Sequence, residues 1–156
     1  MMRIPVAVTV KAPPSVVWAL VTDIEGAADT ISGIDEVEVL ERPAEGILGL
    51  RWKETRTLYG KSATETMWIT EVDEGASYAT EARSHGSLYR TEVRLTGIPE
   101  GTRLEMEFSA EALTRGARIM SVLLGWMMRR AIAKALRQDL EDVRRAAEAQ
   151  AAEPSG

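Results

Sequence analysis

Cysteine is absent from the chain, and histidine occurs once, at His85. Without cysteine there is no disulfide framework and no thiolate to serve as nucleophile or metal ligand. A single histidine cannot assemble the three or four nitrogen and sulfur ligands of a zinc centre, so no metal and no cofactor is expected. Positive charge is also in short supply. Nineteen Lys and Arg against 24 Asp and Glu leave a formal charge of −5, which argues against capture of a nucleic-acid backbone. Long hydrophobic runs are missing too. The longest, residues 119–128, is about half a bilayer span and contains Ser121 and Gly125, so no integral membrane segment is expected. The N-terminal MMRIPVAVTV alternates and lacks the continuous apolar run of a signal peptide, which makes cytoplasmic residence the default expectation.

What is present is an ordinary globular balance, 45% apolar and 28% charged over 156 residues, enough for one domain with a sizeable core. No internal repeat or second domain is visible, so residues 1–150 read as a single domain and residues 151–156 as a frayed tail.

The first strand is residues 3–11, with Ile4, Val6, Val8 and Val10 on one face at period two. Pro13 and Pro14 stop it and suit the first turn of a helix, for which Val16, Val17, Leu20 and Val21 supply an apolar stripe. Asp23 is placed to cap a second short helix near residues 24–31. From Ile34 to about residue 111 the pattern is strand, punctuated by turn signals at Tyr59-Gly60, Glu74-Gly75, His85-Gly86 and Pro99-Glu100. These turns set registers: Glu54 faces Glu65, Trp52 faces Met67, Met67 faces Ala82, Glu65 faces Ser84, Ala82 faces Tyr89, and Thr91 faces Phe108. The registers agree with one another and gather Trp52, Met67, Ala82, Tyr89 and Ala110 into one inward row. Leu50, Ile69, Thr80, Thr91 and Phe108 form the next. Arg51, Lys53, Arg83, Arg90, Arg94, Arg103, Glu105 and Glu107 fall on the wet face, and Trp68 falls among them, which calls for a local cover or a partner. Residues 114–149 read as one long helix. Leu113, Ala117, Met120, Leu124, Met127, Ala131, Leu136, Leu140 and Val143 give it an apolar face toward the sheet. Its late cations, interleaved with Asp139, Glu141, Asp142 and Glu148, read as a solvated face.

The segments VKAPPSVVWALVTDIEG, RWKETRTLYGKSATETMWITEVDE and EARSHGSLYRTEVRL, with the strand from 104 to 110 and the final helix, resemble the START-like or helix-grip superfamily, and within it the bacterial polyketide cyclase/dehydrase and lipid transport branch. The resemblance implies an α+β fold: a curved seven-stranded antiparallel sheet wrapped around a long C-terminal helix, with two short helices after the first strand. It also implies a cavity between sheet and helix. It carries over no catalytic motif, because the superfamily shares none.

Within that expected cavity, the residues placed to line a ligand site are Trp52, Met67, Ala82, Ser84, Tyr89, Phe108, Met120, Leu124 and Met127. Methionine on both walls fills irregular gaps in a core and equally suits apolar ligands of variable shape. Beside Trp52 and Met67, the register collects Glu54, Glu65, Ser84 and Ser87, with Arg56 one step further along. Glu54, Glu65 and Arg56 are the candidate catalytic residues. A carboxylate pair beside an arginine can hold a polar ligand head, or split two carboxyl pKa values for proton abstraction next to a carbonyl. The plainer reading is a hydrated cavity mouth in which Arg56 neutralises its neighbours. His85 is explained by its tight turn. Three functions follow. The leading one is binding of a small hydrophobic molecule such as a lipid, a quinone or a polyketide-like aromatic. The second is an enzyme of cyclase or dehydratase type, and the third a protein-partner module with a filled core, with a homodimer left open.

Overall fold

The computed structural model describes residues 1–58 and 60–153. Ten elements run in the order β1 (Met2–Val10), α1 (Pro14–Val21), α2 (Ala27–Thr30), β2 (Ile34–Glu41), β3 (Arg51–Leu58), β4 (Lys61–Asp73), β5 (Ser77–Ser84), β6 (Ser87–Ile98), β7 (Gly101–Ala112) and α3 (Arg115–Ala152). The strands form one antiparallel sheet in the order β1-β7-β6-β5-β4-β3-β2, so β1 crosses over to the far edge and pairs with β7. This is the α+β helix-grip arrangement.

The hairpin registers are those expected from the turn residues except near Glu74-Gly75, where a three-residue turn pairs Asp73 with Ser77 and a bulge between Ile69 and Glu71 restores the expected register beyond it. Trp52 pairs with Met67 and Glu54 with Glu65, Met67 with Ala82, Ala82 with Tyr89, Tyr89 with Ala110, and Thr91 with Phe108. The expected pairing of Glu65 with Ser84 is not formed, because the β4–β5 ladder ends at Met67 and Ala82. His85 and Gly86 both take positive φ, 49° and 75°, which matches the right-handed strand twist of a two-residue hairpin. The first turn rests on Tyr59, which lies outside the described residues; the pairing of Leu58 with Lys61 brackets it. Gly101 opens β7 at φ 142°, where a Cβ would lie 2.4 Å from the Val10 carbonyl oxygen and 2.8 Å from Ala12 N. Only glycine fits where β1 closes against that hairpin.

The core lies between the concave face and the second half of α3. Trp52, Ile69, Leu104, Leu140, Val10, Val17 and Val93 are its most fully buried large side chains. Each removes apolar area from water that stabilises the fold by about 1.5–3 kcal/mol. On the convex face, Trp68 is covered by its cross-strand neighbour: the Arg51 guanidinium sits 4.9 Å from the ring centroid.

Three expectations are corrected. Asp23 accepts a hydrogen bond from Gly26 N at 3.1 Å, so it closes the turn before α2 rather than capping a helix from residue 24. That helix shrinks to four residues. The long helix starts where expected, with Thr114 Oγ1 accepting from Ala117 N, but continues to Ala152; residues 154–156 lie outside the described residues. Most consequentially, the first half of α3 does not pack on the sheet. Leu113, Met120, Leu124 and Met127 are exposed, whereas Leu136, Leu140 and Val143 are buried. Nearly every residue from 119 to 128 is apolar, so no phase of the 3.6-residue repeat singles out an inward face there.

Candidate ligand-binding site

A cavity of about 260 Å³ lies between the sheet and α3, just below the roughly 300–1,000 Å³ typical of small-molecule sites. Its floor is Trp52, Met67, Tyr78, Thr80, Thr91, Val93, Met106 and Phe108 from the sheet. Its sides are Leu20, Val21, Ile24 and Ile31 from the short helices and their flanks, and Ile132, Ala135, Leu136, Leu140 and Val143 from α3. The walls are mostly apolar, with the Thr30, Thr80 and Thr91 side chains among them, and charge gathers at one corner, where Glu54, Arg56 and Asp139 meet.

That corner is built by two elements. On β3, Glu54 and Arg56 are two residues apart and share a face; Arg56 Nε donates to Glu54 Oε2 at 2.9 Å. Across the cavity, Arg56 Nη1 and Nη2 donate to Asp139 Oδ1 and Oδ2 at 3.2 and 2.8 Å, a bidentate pair to α3. Burial alone disfavours the guanidinium charge, but Asp139 and Glu54 outweigh it and hold the Arg56 pKa above its ordinary value. Burial likewise pushes the Asp139 carboxyl above the usual carboxylate range, and its bonds to Arg56 only partly offset this. Gly33 lies against the pair: a Cβ there would sit 3.2 Å from Arg56 Nη1 and 3.5 Å from Asp139 Oδ1. Nearby, Tyr78 donates its hydroxyl to the Val21 carbonyl at 2.8 Å. Burial, then the charge of Glu54, raise its pKa, so the phenol stays neutral.

The candidate residues divide clearly. Trp52, Met67, Phe108, Glu54 and Arg56 line the cavity. Glu65 does not; it faces Glu54 across the ladder, but Arg56 turns toward α3 and takes Asp139 instead. Ala82 is buried on the same sheet face without lining the cavity, and Tyr89 stands beside the wall, stacked on Phe108 with ring centroids 5.8 Å apart. Ser84 lies beyond the lining. Met120, Leu124 and Met127 belong to the exposed half of α3 and stand away from the cavity. Nothing approaches Gly116 or Gly125.

Asp139 was legible as an anomaly. It falls three residues after Leu136 and four before Val143, on the buried stripe, and a buried carboxylate requires a cation. Its supposed companions on a solvated face are also engaged. Asp142 accepts from Ser32 N and Oγ at 2.9 and 2.8 Å, and Glu148 accepts from Lys11 N and Arg144. One further polar atom stands out: among the described residues, the buried Trp52 Nε1 has no hydrogen-bond partner.

The sheet order, the long gripping helix and the cavity between them define a START-like protein. Residues 1–148 match the family model described as polyketide cyclase / dehydrase and lipid transport, and the chain belongs to that family. Among solved structures it is similar to TTHA0849 from Thermus thermophilus (19% identity, TM-score 0.80, covering 97% of this chain and 100% of that one). It is similar to a START superfamily protein from Mycobacterium smegmatis (15%, 0.79, 95% and 98%). It is also similar to the Zhui aromatase/cyclase from Streptomyces sp. R1128 (21%, 0.74, 96% and 94%). None of the curated proteins compared with the sequence matches it. No helix among the described residues is long and apolar enough to cross a membrane.

Proposed function

We propose that this protein binds a small, largely apolar molecule with one polar end, placing its body against Trp52, Met67 and Phe108 and its polar end at Arg56. The observation that carries the reading is the largely apolar cavity with a single charged corner. The space of about 260 Å³ between sheet and helix supports a ligand site over the filled core of a pure partner-binding module. Arg56 uses three of its five N–H groups on Glu54 and Asp139, leaving two for a ligand oxygen. Lipids, quinones and polyketide-like aromatics have this character. A thermal-shift screen of those classes tests the proposal. A ligand at one hundred times its dissociation constant stabilises by about 2.7 kcal/mol, which raises the melting temperature of a chain this long on the order of 5–10 °C. Ala135→Phe, which fills the cavity from the helix side, should abolish the shift. If no compound of any class shifts the wild type, the proposal fails.

A second reading is catalysis of cyclase or dehydratase type, and it is favoured by Glu54. Its carboxylate lines the cavity and bonds Arg56 through Oε2, while Oε1 makes no described hydrogen bond. Glu54 would take a proton from the carbon beside a ligand carbonyl, and the free Arg56 N–H groups would hold the enolate oxygen. The name of the Zhui aromatase/cyclase adds a chemical precedent on the same fold. Incubation with a poly-β-ketone analogue, followed by mass spectrometry for ring closure or water loss, separates the readings: Glu54→Gln should keep binding and lose turnover.

A further inference from the structure

The cavity leaves one feature of the molecule unexplained, the first half of α3. Ile119, Val122, Leu123 and Trp126 are 61%, 82%, 64% and 65% exposed, and Met120, Leu124, Met127 and Met128 are exposed as well. At 100° per residue these side chains spread over about two thirds of the helix circumference. Water is a costly neighbour for so much contiguous apolar surface, and such patches mark contact sites.

Charge indicates what the contact is. From Ala112 to Gln138 the chain carries Arg115, Arg118, Arg129, Arg130, Lys134 and Arg137 and no acidic residue, although it has 24 carboxylates elsewhere and a net charge of −5. The cations bracket the apolar segment on both sides. A second copy of the chain would set these six cations against six more, and a helix seam would need one apolar stripe rather than most of a circumference. An anionic lipid surface satisfies both features. We propose that the first half of α3 docks the protein onto an anionic membrane surface, with Leu123 and Trp126 entering the boundary between headgroups and acyl chains and Arg118, Arg129 and Arg130 meeting lipid phosphates. Ten residues of helix measure about 15 Å, too short to span, so the segment lies in the surface. Directly after it come Ile132 and Ala135, which line the cavity, so docking brings that wall close to the lipid. The inference does not depend on what the cavity holds.

Flotation of the full chain with vesicles of phosphatidylcholine, alone or mixed with phosphatidylglycerol, tests it. The wild type should float with the mixed vesicles and much less with the neutral ones. Each cation near an anionic surface contributes roughly a fivefold effect, so Arg118→Gln/Arg129→Gln/Arg130→Gln should weaken binding on the order of 100-fold. Leu123→Asp/Trp126→Asp should abolish it, with circular dichroism and melting temperature unchanged because both side chains are exposed. Equal binding to neutral vesicles with no effect of the triple variant overturns the proposal. So does failure to bind any vesicle, whether the protein sediments as a monomer or as a dimer that Leu123→Asp dissolves; the dimer would assign this surface to a second copy.

Discussion

Arg56 and Asp139 stand 83 positions apart and are joined by two parallel hydrogen bonds, at 2.8 and 3.2 Å. They tie the strand farthest but one from β1 to the helix that grips the sheet, and they form the cavity's one charged corner. A buried pair of this kind adds little over a well-packed apolar substitute, but losing one partner strands a charge.

Arg56→Met should therefore destabilise the protein by about 3–5 kcal/mol at pH 7. Because Glu54 loses its Arg56 hydrogen bond too, the pH dependence and the double variant together carry the diagnosis. Asp139 already has its folded-state pKa raised, so the folded state holds the proton more tightly than the unfolded one. Its effect on stability is least unfavourable at low pH and worsens as pH rises through the ordinary carboxylate value toward the raised one. Removing Arg56 raises that pKa further and widens the window. Urea melts should show the Arg56→Met deficit shrinking as pH falls toward 4, and Arg56→Met/Asp139→Leu should recover most of the lost stability. A deficit independent of pH would mean Asp139 is not the stranded group.

Asp142 runs the opposite way. Burial works against its charge, but the Ser32 N–H and hydroxyl and the Gln138 amide hold its carboxyl below the ordinary range. Its contribution is complete above the unfolded value and disappears as pH falls through the lowered one. Asp142→Asn should cost about 1 kcal/mol at neutral pH. The difference from wild type should close in acid, and chemical denaturation at pH 7 and pH 3 measures both ends.

The contrast between these two aspartates shows what the sequence discloses. Strand pairing was readable because turns such as His85-Gly86 fix register locally, and a two-residue period leaves little freedom once a turn is placed. The cavity residues that follow from register alone, Trp52, Met67 and Phe108, were readable for the same reason. Glu65 and Asp139 exchanged roles because the side chain that chooses between them, Arg56, reaches off its strand to an element 83 residues away, and no local pattern encodes that reach. Met120, Leu124 and Met127 have helical spacing, but spacing gives a face only where polar residues mark the other side.

Gly33 should report on the same ion pair. A Cβ at 3.2 Å from Arg56 Nη1 is tight, and the bidentate bond to Asp139 leaves the guanidinium little room to yield. Gly33→Ala should cost about 1 kcal/mol, at the low end of overpacking. In the Arg56→Met/Asp139→Leu background the cost should fall to near zero, since close neighbours couple and distant ones do not. An unchanged cost in that background would place the strain elsewhere.

Trp52 offers a sharper test of ligand chemistry than of stability. It lines the cavity, and its indole Nε1 is buried without a hydrogen-bond partner among the described residues. Leaving a buried donor unpaired costs about 1–3 kcal/mol; the atom has almost no accessible surface, so a ligand acceptor recovers that cost only if the indole turns its N–H toward the cavity on binding. Two ligands of nearly the same shape, 1,4-naphthoquinone and naphthalene, differ mainly in carbonyl oxygens. The wild type should prefer the quinone by roughly 5- to 150-fold, the equilibrium counterpart of that energy. Trp52→Phe keeps an aromatic wall but removes the donor, so the preference should collapse while naphthalene binding changes little. Arg56 also lines the cavity, and a preference that persists in Trp52→Phe but vanishes in Arg56→Met would assign the carbonyl to the guanidinium. Titration of both ligands into the three proteins, followed by melting temperature, decides between the two donors.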